Sequence, residues 1–199
     1  MAGVRTSLTP EREAKIRRVL SCRQKDLTLV LSNIHDPHNV SAIYRSCDAF
    51  GVSKVHLYYT DTAFPVLGAK TSASARKWVD TERHKTAQEL LSTLRSEHMR
   101  ILATSCSPQA RPLGEYDLTA PTAFILGNEH RGVDEALVPL VDGEVYIPMY
   151  GMIQSFNVSV AAAVLLAEAS RQRREAGMYE TSRYSGEELD ALYGAWSKK

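Results

Sequence analysis

Three stretches of the chain bring together residue types that could do chemistry on a bound ligand. The first is Asn33-Ile-His-Asp-Pro-His-Asn-Val-Ser-Ala-Ile-Tyr-Arg45, where Asn39 and Arg45 stand six residues apart, nearly two turns of a helix. The second, Leu126-Gly-Asn-Glu-His-Arg-Gly132, is a glycine-framed turn carrying the carboxylate of Glu129. The third runs from Val145 to Glu168 and sets Gln154, Ser155 and Asn157 at the head of a long apolar run. Polar side chains and unpaired N–H groups at the start of a buried helix make a ligand floor. The same residues would serve as ordinary caps. Asn39 could likewise cap its helix, Arg45 close a salt bridge, and 126–132 form a plain loop.

The elements that must position these stretches alternate. Leu27 to Ile34 reads as a buried strand, followed by a helix from about Asn39 to Phe50 that Gly51 ends. Lys54 to Tyr59 is the next strand, Trp78 to Glu82 a short one, and Thr86 to Glu97 a helix. Strands follow at Ile101 to Ser105 and Thr122 to Leu126, then a short helix at Asp134 to Leu140 and a last strand at Val145 to Ile147. Pro148 and Gly151 bend the chain before a helix from about Ser155. That helix carries Val158, Ala162, Leu165 and Ala169 on one stripe, with Val160 and Val164 beside it. Apolar almost all round, it is expected to be buried. Strands alternating with helices imply an α/β fold, a mostly parallel sheet with helices on both faces. Its ligands belong beyond the carboxyl ends of the strands.

The frame around these motifs is that of one globular domain with appendages. A chain of 199 residues, 44% hydrophobic and 24% charged, is long enough for a proper core. Residues 1–25 form a basic helix opened by Thr9-Pro10-Glu11, 26–176 the main domain, and 177–199 a helical extension with Glu187 to Trp196. Net charge is only +1, but Arg5, Arg12, Lys15, Arg17, Arg18, Arg23 and Lys25 crowd one end and Arg171, Arg173 and Arg174 close the long helix. Two basic clusters flanking a polar site favour a polyanion. Cys22, Cys47 and Cys106 are too scattered for a zinc pattern or a disulfide framework, so no metal is expected. No secretory signal or membrane span is visible, and a cytoplasmic address follows. The sequons at Asn39 and Asn157 are then chance matches. No Gly-x-Gly-x-x-Gly or Walker motif occurs, so the common nucleotide-binding signatures are missing.

In order and spacing, the three motifs closely resemble those of the SpoU/TrmH group of SPOUT RNA methyltransferases. Asn39 with Arg45 is similar to the first family motif, Gly127 to Gly132 to the second, and Ile147 to Val160 to the third. Arg23-Gln-Lys-Asp-Leu-Thr-Leu29, the basic N-terminal helix and Arg171-Gln-Arg173 with Ala176-Gly177-Met178-Tyr179 resemble the branch that methylates a tRNA D-loop guanosine on its ribose 2′-oxygen. Coverage is essentially residues 10–180.

That resemblance implies a homodimer whose C-terminal third threads into a trefoil knot. It implies S-adenosyl-L-methionine as methyl donor, held by backbone groups, with Thr104, Gly127, Ile147 and Phe156 as contacts. Arg45 would be the catalytic residue, Asn39 and Glu129 would hold that arginine and the ribose, and Ser155 and Asn157 would complete the floor. A guanidinium has a pKa above ~12 and normally only donates, so Arg45 either takes the proton or clamps a phosphate that relays it. Arg12, Arg23, His38, Arg171 and Arg173 are expected to contact tRNA. Ribosomal RNA as substrate, and a catalytically silent RNA-binding module of the same fold, are the alternatives.

Overall fold

In a computed structural model of the chain, residues 8–60, 63–64, 75–128 and 131–199 are described. Seven strands form one sheet in the order β3-β2-β1-β6-β4-β7-β5. They are β1 (Leu27–Ser32), β2 (Lys54–Tyr58), β3 (Asp80–His84), β4 (Arg100–Thr104), β5 (Arg111–Pro112), β6 (Thr122–Leu126) and β7 (Gly143–Tyr146). Every pairing is parallel, so all strands release their loops at the same edge. The helices are α1 (Pro10–Ser21), α2 (Pro37–Ala49), α3 (Ala87–Ser96), α4 (Val158–Glu175) and α5 (Gly186–Trp196).

Strand alternation sorts the core into two layers. Leu27, Leu29 and Leu31 of β1 pack with Val40, Ile43, Tyr44 and Cys47 of α2 and with Ala162, Leu165 and Ala169 of α4. Val30, between them in sequence, joins Leu90, Leu91 and Leu94 of α3 on the other face. Successive strand side chains point to opposite faces, so a strand covered twice must be apolar at every position. β1 accordingly is buried throughout. A third cluster joins the two ends of the chain: Ile16 and Leu20 of α1 meet Trp196 of α5, with Trp78 at its margin.

Several boundaries shift for identifiable reasons. α2 starts at Pro37 rather than near Asn39, because Asp36 caps it by accepting from the His38 N–H at 2.8 Å. α4 starts at Val158 rather than near Ser155, because Asn157 Oδ1 caps it by accepting from the Ser159 N–H at 2.8 Å. β3 begins at Asp80 instead of Trp78, whose N–H turns back to the Ala75 carbonyl at 2.9 Å. The expected helix at 134–140 is turns and one 3₁₀ turn, Val138–Leu140, holding Pro139. The two-residue edge strand β5 was not anticipated; Pro112 is tolerated there because an edge needs no second donor. α4 is not buried all round either. Val160 is 46% exposed, and Ala161 and Val164 are only half-buried.

The largest correction concerns two arginines expected to face RNA. Arg173 is fully buried. Its guanidinium donates to Asp26 Oδ1 at 2.5 Å, to Gln24 Oε1 at 3.1 Å and to the carbonyls of Leu118, Asp26 and Ala120 at 2.9, 3.0 and 3.2 Å. Arg23 is also buried, paired with Asp48 at 2.5 Å, donating to the Val52 carbonyl at 2.9 Å and lying over the Trp196 ring. With their donors turned inward, neither can dock a phosphate.

Removing one member of a buried pair strands the other, at a cost of about 3–5 kcal/mol. Arg173→Ala should therefore lose stability on that scale in urea unfolding, far more than Arg174→Ala on the exposed side. Asp26 adds a pH signature. Burial alone would raise its carboxyl, but the guanidinium groups of Arg173 and Arg183 outweigh burial and hold it below the ordinary carboxylate value. The stabilisation is complete above the unfolded pKa of about 3.9 and disappears as pH falls through the depressed folded value. Asp26→Asn should flatten that acid limb in a pH series of unfolding midpoints; an unaltered limb would assign the acid sensitivity to other carboxylates.

Candidate active site

The strand edge where β4, β6 and β7 end opens into a cavity of about 790 Å³, within the range of small-molecule sites. Its walls come from three loops. After β4, the Thr104 hydroxyl donates to the Ile125 carbonyl at 3.0 Å, and the Ser105 N–H donates to the Val145 carbonyl at 3.0 Å. The wall is thereby laced to both flanking strands.

The loop after β6 explains its first glycine. Asn128 and Gly132 exchange backbone hydrogen bonds at 2.9 Å in both directions. This folds the loop back so far that a Cβ on Gly127 would lie 2.0 Å from the Gly132 carbonyl carbon and 2.2 Å from the Val133 nitrogen. Only glycine fits. Gly132 closes the turn at φ +73°, a left-handed conformation that glycine adopts without cost. Asn128 Nδ2 donates to the Asn33 carbonyl at 3.0 Å and lies 3.3 Å from His35 Nδ1, tying this loop to the end of β1. Asn33 itself is left-handed at φ 50°, with its side chain bridging to Thr60.

The loop after β7 supplies the rest. Ile147, Ser155, Phe156 and Asn157 line the cavity with Thr104 and Gly127. All four expected cofactor contacts and two of the expected catalytic residues therefore share one space. Asn157 also reaches out of it. Its Nδ2 donates to Asn39 Oδ1 at 3.1 Å, joining the first and third motifs across 118 residues. Capping and site-building are thus one arrangement in Asn157, not alternatives.

Arg45 lies two turns along α2, exposed, and no hydrogen bond or ion pair to another described residue engages its guanidinium. Glu129 lies outside the described residues. His38 is exposed in the first turn of α2. Arg12 is exposed on α1, beside a small groove that it lines with Lys15, Trp78 and Trp196. Arg171 is exposed too, but its fork is filled by Glu168 at 2.8 Å and Glu175 at 2.7 Å. Gln154, read from the sequence as part of a ligand floor, lines the cavity, and Asn128 and Cys106 line it without having been assigned a role. For Asn128, the signal was its place directly after a strand-ending glycine.

Comparisons with known proteins agree with this geometry. A model of the SpoU rRNA methylase family matches residues 26–167. A protein of Thermus thermophilus named tRNA (guanosine(18)-2′-O)-methyltransferase is 42% identical over 191 residues, covering 96% of this chain and 98% of its own. The crystal structure of the A. aeolicus TrmH/SpoU tRNA modifying enzyme superposes with a TM-score of 0.87 at 37% identity, covering 94% of this chain and 95% of the other. That of the SpoU methyltransferase AviRb from Streptomyces viridochromogenes, in complex with AdoMet, does so at 0.68 and 26%, covering 76% and 62%.

Gly127 offers a test of the cavity. Gly127→Ala forces a methyl group into backbone that has no side chain to move aside, at a cost of about 1–3 kcal/mol. The thermal midpoint should fall and calorimetric AdoMet binding should weaken at least tenfold. Unchanged binding would place the ligand away from this loop.

Proposed function

The chain belongs to the SpoU methylase family, and we propose that it transfers a methyl group from S-adenosyl-L-methionine to the 2′-hydroxyl of guanosine 18 in the D loop of tRNA. One observation carries this reading: the Asn157–Asn39 hydrogen bond sets the motif bearing Arg45 against a cavity lined by all four residues assigned to the cofactor. The name and near full-length match of the Thermus relative support guanosine 18.

The residues fit the cofactor. Leu126, Val145, Ile147 and Val158 give the cavity apolar wall suited to a nucleobase. Gly127, which has no side chain of its own, brings its backbone donor and acceptor to the cavity. When bound, S-adenosyl-L-methionine supplies an electrophilic methyl group; all else is the protein's task. The ribose hydroxyl must be held in line with that methyl carbon and must lose its proton as its oxygen bonds to the carbon and the carbon–sulfur bond opposite breaks. Arg45, unengaged among the described residues, is free to grip a substrate phosphate with two parallel donors. It clamps a phosphate that accepts the proton, a role that suits a guanidinium better than proton uptake does. Asn39 and Glu129 are assigned to hold the arginine and ribose, and Ser155 and Asn157 the floor.

Two further features complete the proposal. The path from β4 out to β5, back to β6 at the centre and out again to β7 supports a trefoil threading of the C-terminal third. Tyr150 and Met152, 98% and 100% exposed, stand near Ile153, Phe156 and Val160 in one apolar stretch, which supports a second copy covering it as a homodimer. No helix of the described residues is long and apolar enough to cross a membrane, and a cytoplasmic address is proposed with the tRNA substrate.

Incubating the protein with labelled methyl donor and bulk tRNA, then mapping the product, tests the reading: the methyl should sit on the ribose of a D-loop guanosine. A methyl group on a base, or on ribosomal RNA alone, would refute it. Arg45→Lys keeps a charge but loses the planar fork, so turnover should fall at least a hundredfold while AdoMet affinity stays within about twofold. Near-normal turnover would mean that a point charge suffices. Docking is read from salt dependence. Arg12→Ala should weaken tRNA binding and reduce the salt slope by about one unit. Arg173→Ala should leave the slope of its folded fraction unchanged, because its donors are already taken.

A further inference from the structure

Away from the cavity, at the β2–β3 edge of the sheet, His56, Glu82 and His84 converge. One ligand-type atom from each lies within 4.8 Å of the other two. Strand register produces the cluster. His56 pairs with Glu82 and Tyr58 with His84, and alternate residues share a face, so Glu82 and His84 project together beside His56. The sequence hides the arrangement because the two histidines are 28 residues apart, far from any short ligand spacing.

The contacts are close and unequal in exposure. His56 Nδ1 lies 3.0 Å from His84 Nε2, and Glu82 Oε1 lies 3.8 Å from that same nitrogen. Both imidazoles are buried, whereas the Glu82 side chain keeps 38% of its surface. Among the described residues His56 Nε2 has no hydrogen-bond partner, and the Nδ1–Nε2 hydrogen bond to His84 is the contact that a cation between the rings would replace.

We propose that His56, Glu82 and His84 form a binding site for a divalent cation of the zinc class, which clips the edge strand β3 to β2. Two imidazoles and one carboxylate are a donor set that suits zinc and its neighbours. Two donors each about 2.1 Å from one cation can stand at most about 4.2 Å apart, and the 3.0 Å and 3.8 Å separations of His56 Nδ1 and Glu82 Oε1 from His84 Nε2 lie within that span. Three protein donors leave a fourth position for water, which the 38% exposed Glu82 side chain leaves within reach of solvent.

The neighbouring cation does not forbid this. Lys54 Nζ holds Glu82 Oε2 at 3.0 Å and Glu97 Oε1 at 2.8 Å. Lys54 therefore engages the carboxylate oxygen farther from the cluster's ligand set, leaving Oε1 to the metal. Two carboxylates against one ammonium also keep the surroundings net negative. Among the described residues the cluster lies on β2 and β3, while the cavity is built on β4, β6 and β7, so the ion's role is to fasten the fold rather than to act in methyl transfer.

The full chain, stripped with chelator and dialysed, should bind Zn²⁺ with one equivalent per chain in calorimetry. At a hundred times its Kd, free Zn²⁺ should lower the apparent unfolding constant about a hundredfold and raise the thermal midpoint. Co²⁺ in its place should give the visible absorption of a four-coordinate nitrogen–oxygen site. Glu82→Gln and His84→Gln should each lose at least tenfold in affinity, while AdoMet binding at the cavity is retained. No saturable binding by the parent chain overturns the proposal. So does undiminished binding in Glu82→Gln, which would assign the metal to other histidines or to Cys106. Should His84→Gln not fold, Glu82→Gln decides alone, since its side chain is half in solvent on an edge strand.

Discussion

The buried guanidinium of Arg173 fixes the geometry on which the cavity depends. α4 has 18 residues, roughly 27 Å at 1.5 Å per residue, and it runs back across a sheet whose strands are shorter than that. Its far end is fastened to Asp26, just before β1, and to Leu118 and Ala120, just before β6. Its near end carries Asn157 into the cavity and onto Asn39. A slip of one residue would move the helix ~1.5 Å and turn it ~100°, which would take Asn157 off Asn39. Pinning both ends leaves one register. Buried ion pairs often contribute little net stability compared with apolar residues of the same shape, so the value of this one lies in the alignment it imposes.

Arginine shows how far sequence reasoning reaches. Arg23, Arg45, Arg171 and Arg173 look alike in a sequence, and basic clusters suggest a polyanion-binding face. Burial separates them. Arg23 and Arg173 hold the core edges together, Arg171 is neutralised by acids three and four residues away on its own helix, and Arg45 alone of the four is exposed without a described partner. Glu168 and Glu175, three and four residues from Arg171, are visible in the sequence as helix-surface partners. Nothing local announced that Arg173 would find Asp26, because that contact spans 147 residues.

The alternating architecture was legible, since strands buried on both faces must be continuously apolar and the helices between them carry a 3.6-residue stripe. Thr104, Gly127, Ile147 and Phe156 were grouped by resemblance rather than by periodicity, and the structure gathers them in one cavity. Helix starts were less so. Asp36 and Asn157 each act as the cap, and competing polar residues nearby, Asn39 and Ser155, gave the sequence two plausible starts at each helix. The outward apolar face of α4 misled in a different way. Val160 reads as core by composition, yet a surface awaiting another protein surface has the same composition as a core.

These features divide the site into a rigid and an unfinished part. Asn128 and Gly132 are pinned to each other by their backbone pair, and Asn128 is pinned to the end of β1. The segment through Tyr150, Met152 and Ile153 is exposed and apolar, and it lines or borders the same cavity. Water is a poor cover for such a wall, because each apolar side chain left in it forgoes burial of about 25 cal/mol per Å². The proposed second copy, laid across it, would exclude that water. The substrate is a polyanion far larger than the cavity, so a surface assembled from two chains suits it better than one chain's modest net charge of +1. The exposed apolar segment and the exposed Arg12 and Arg45 are the features that the proposed second copy would draw into one surface.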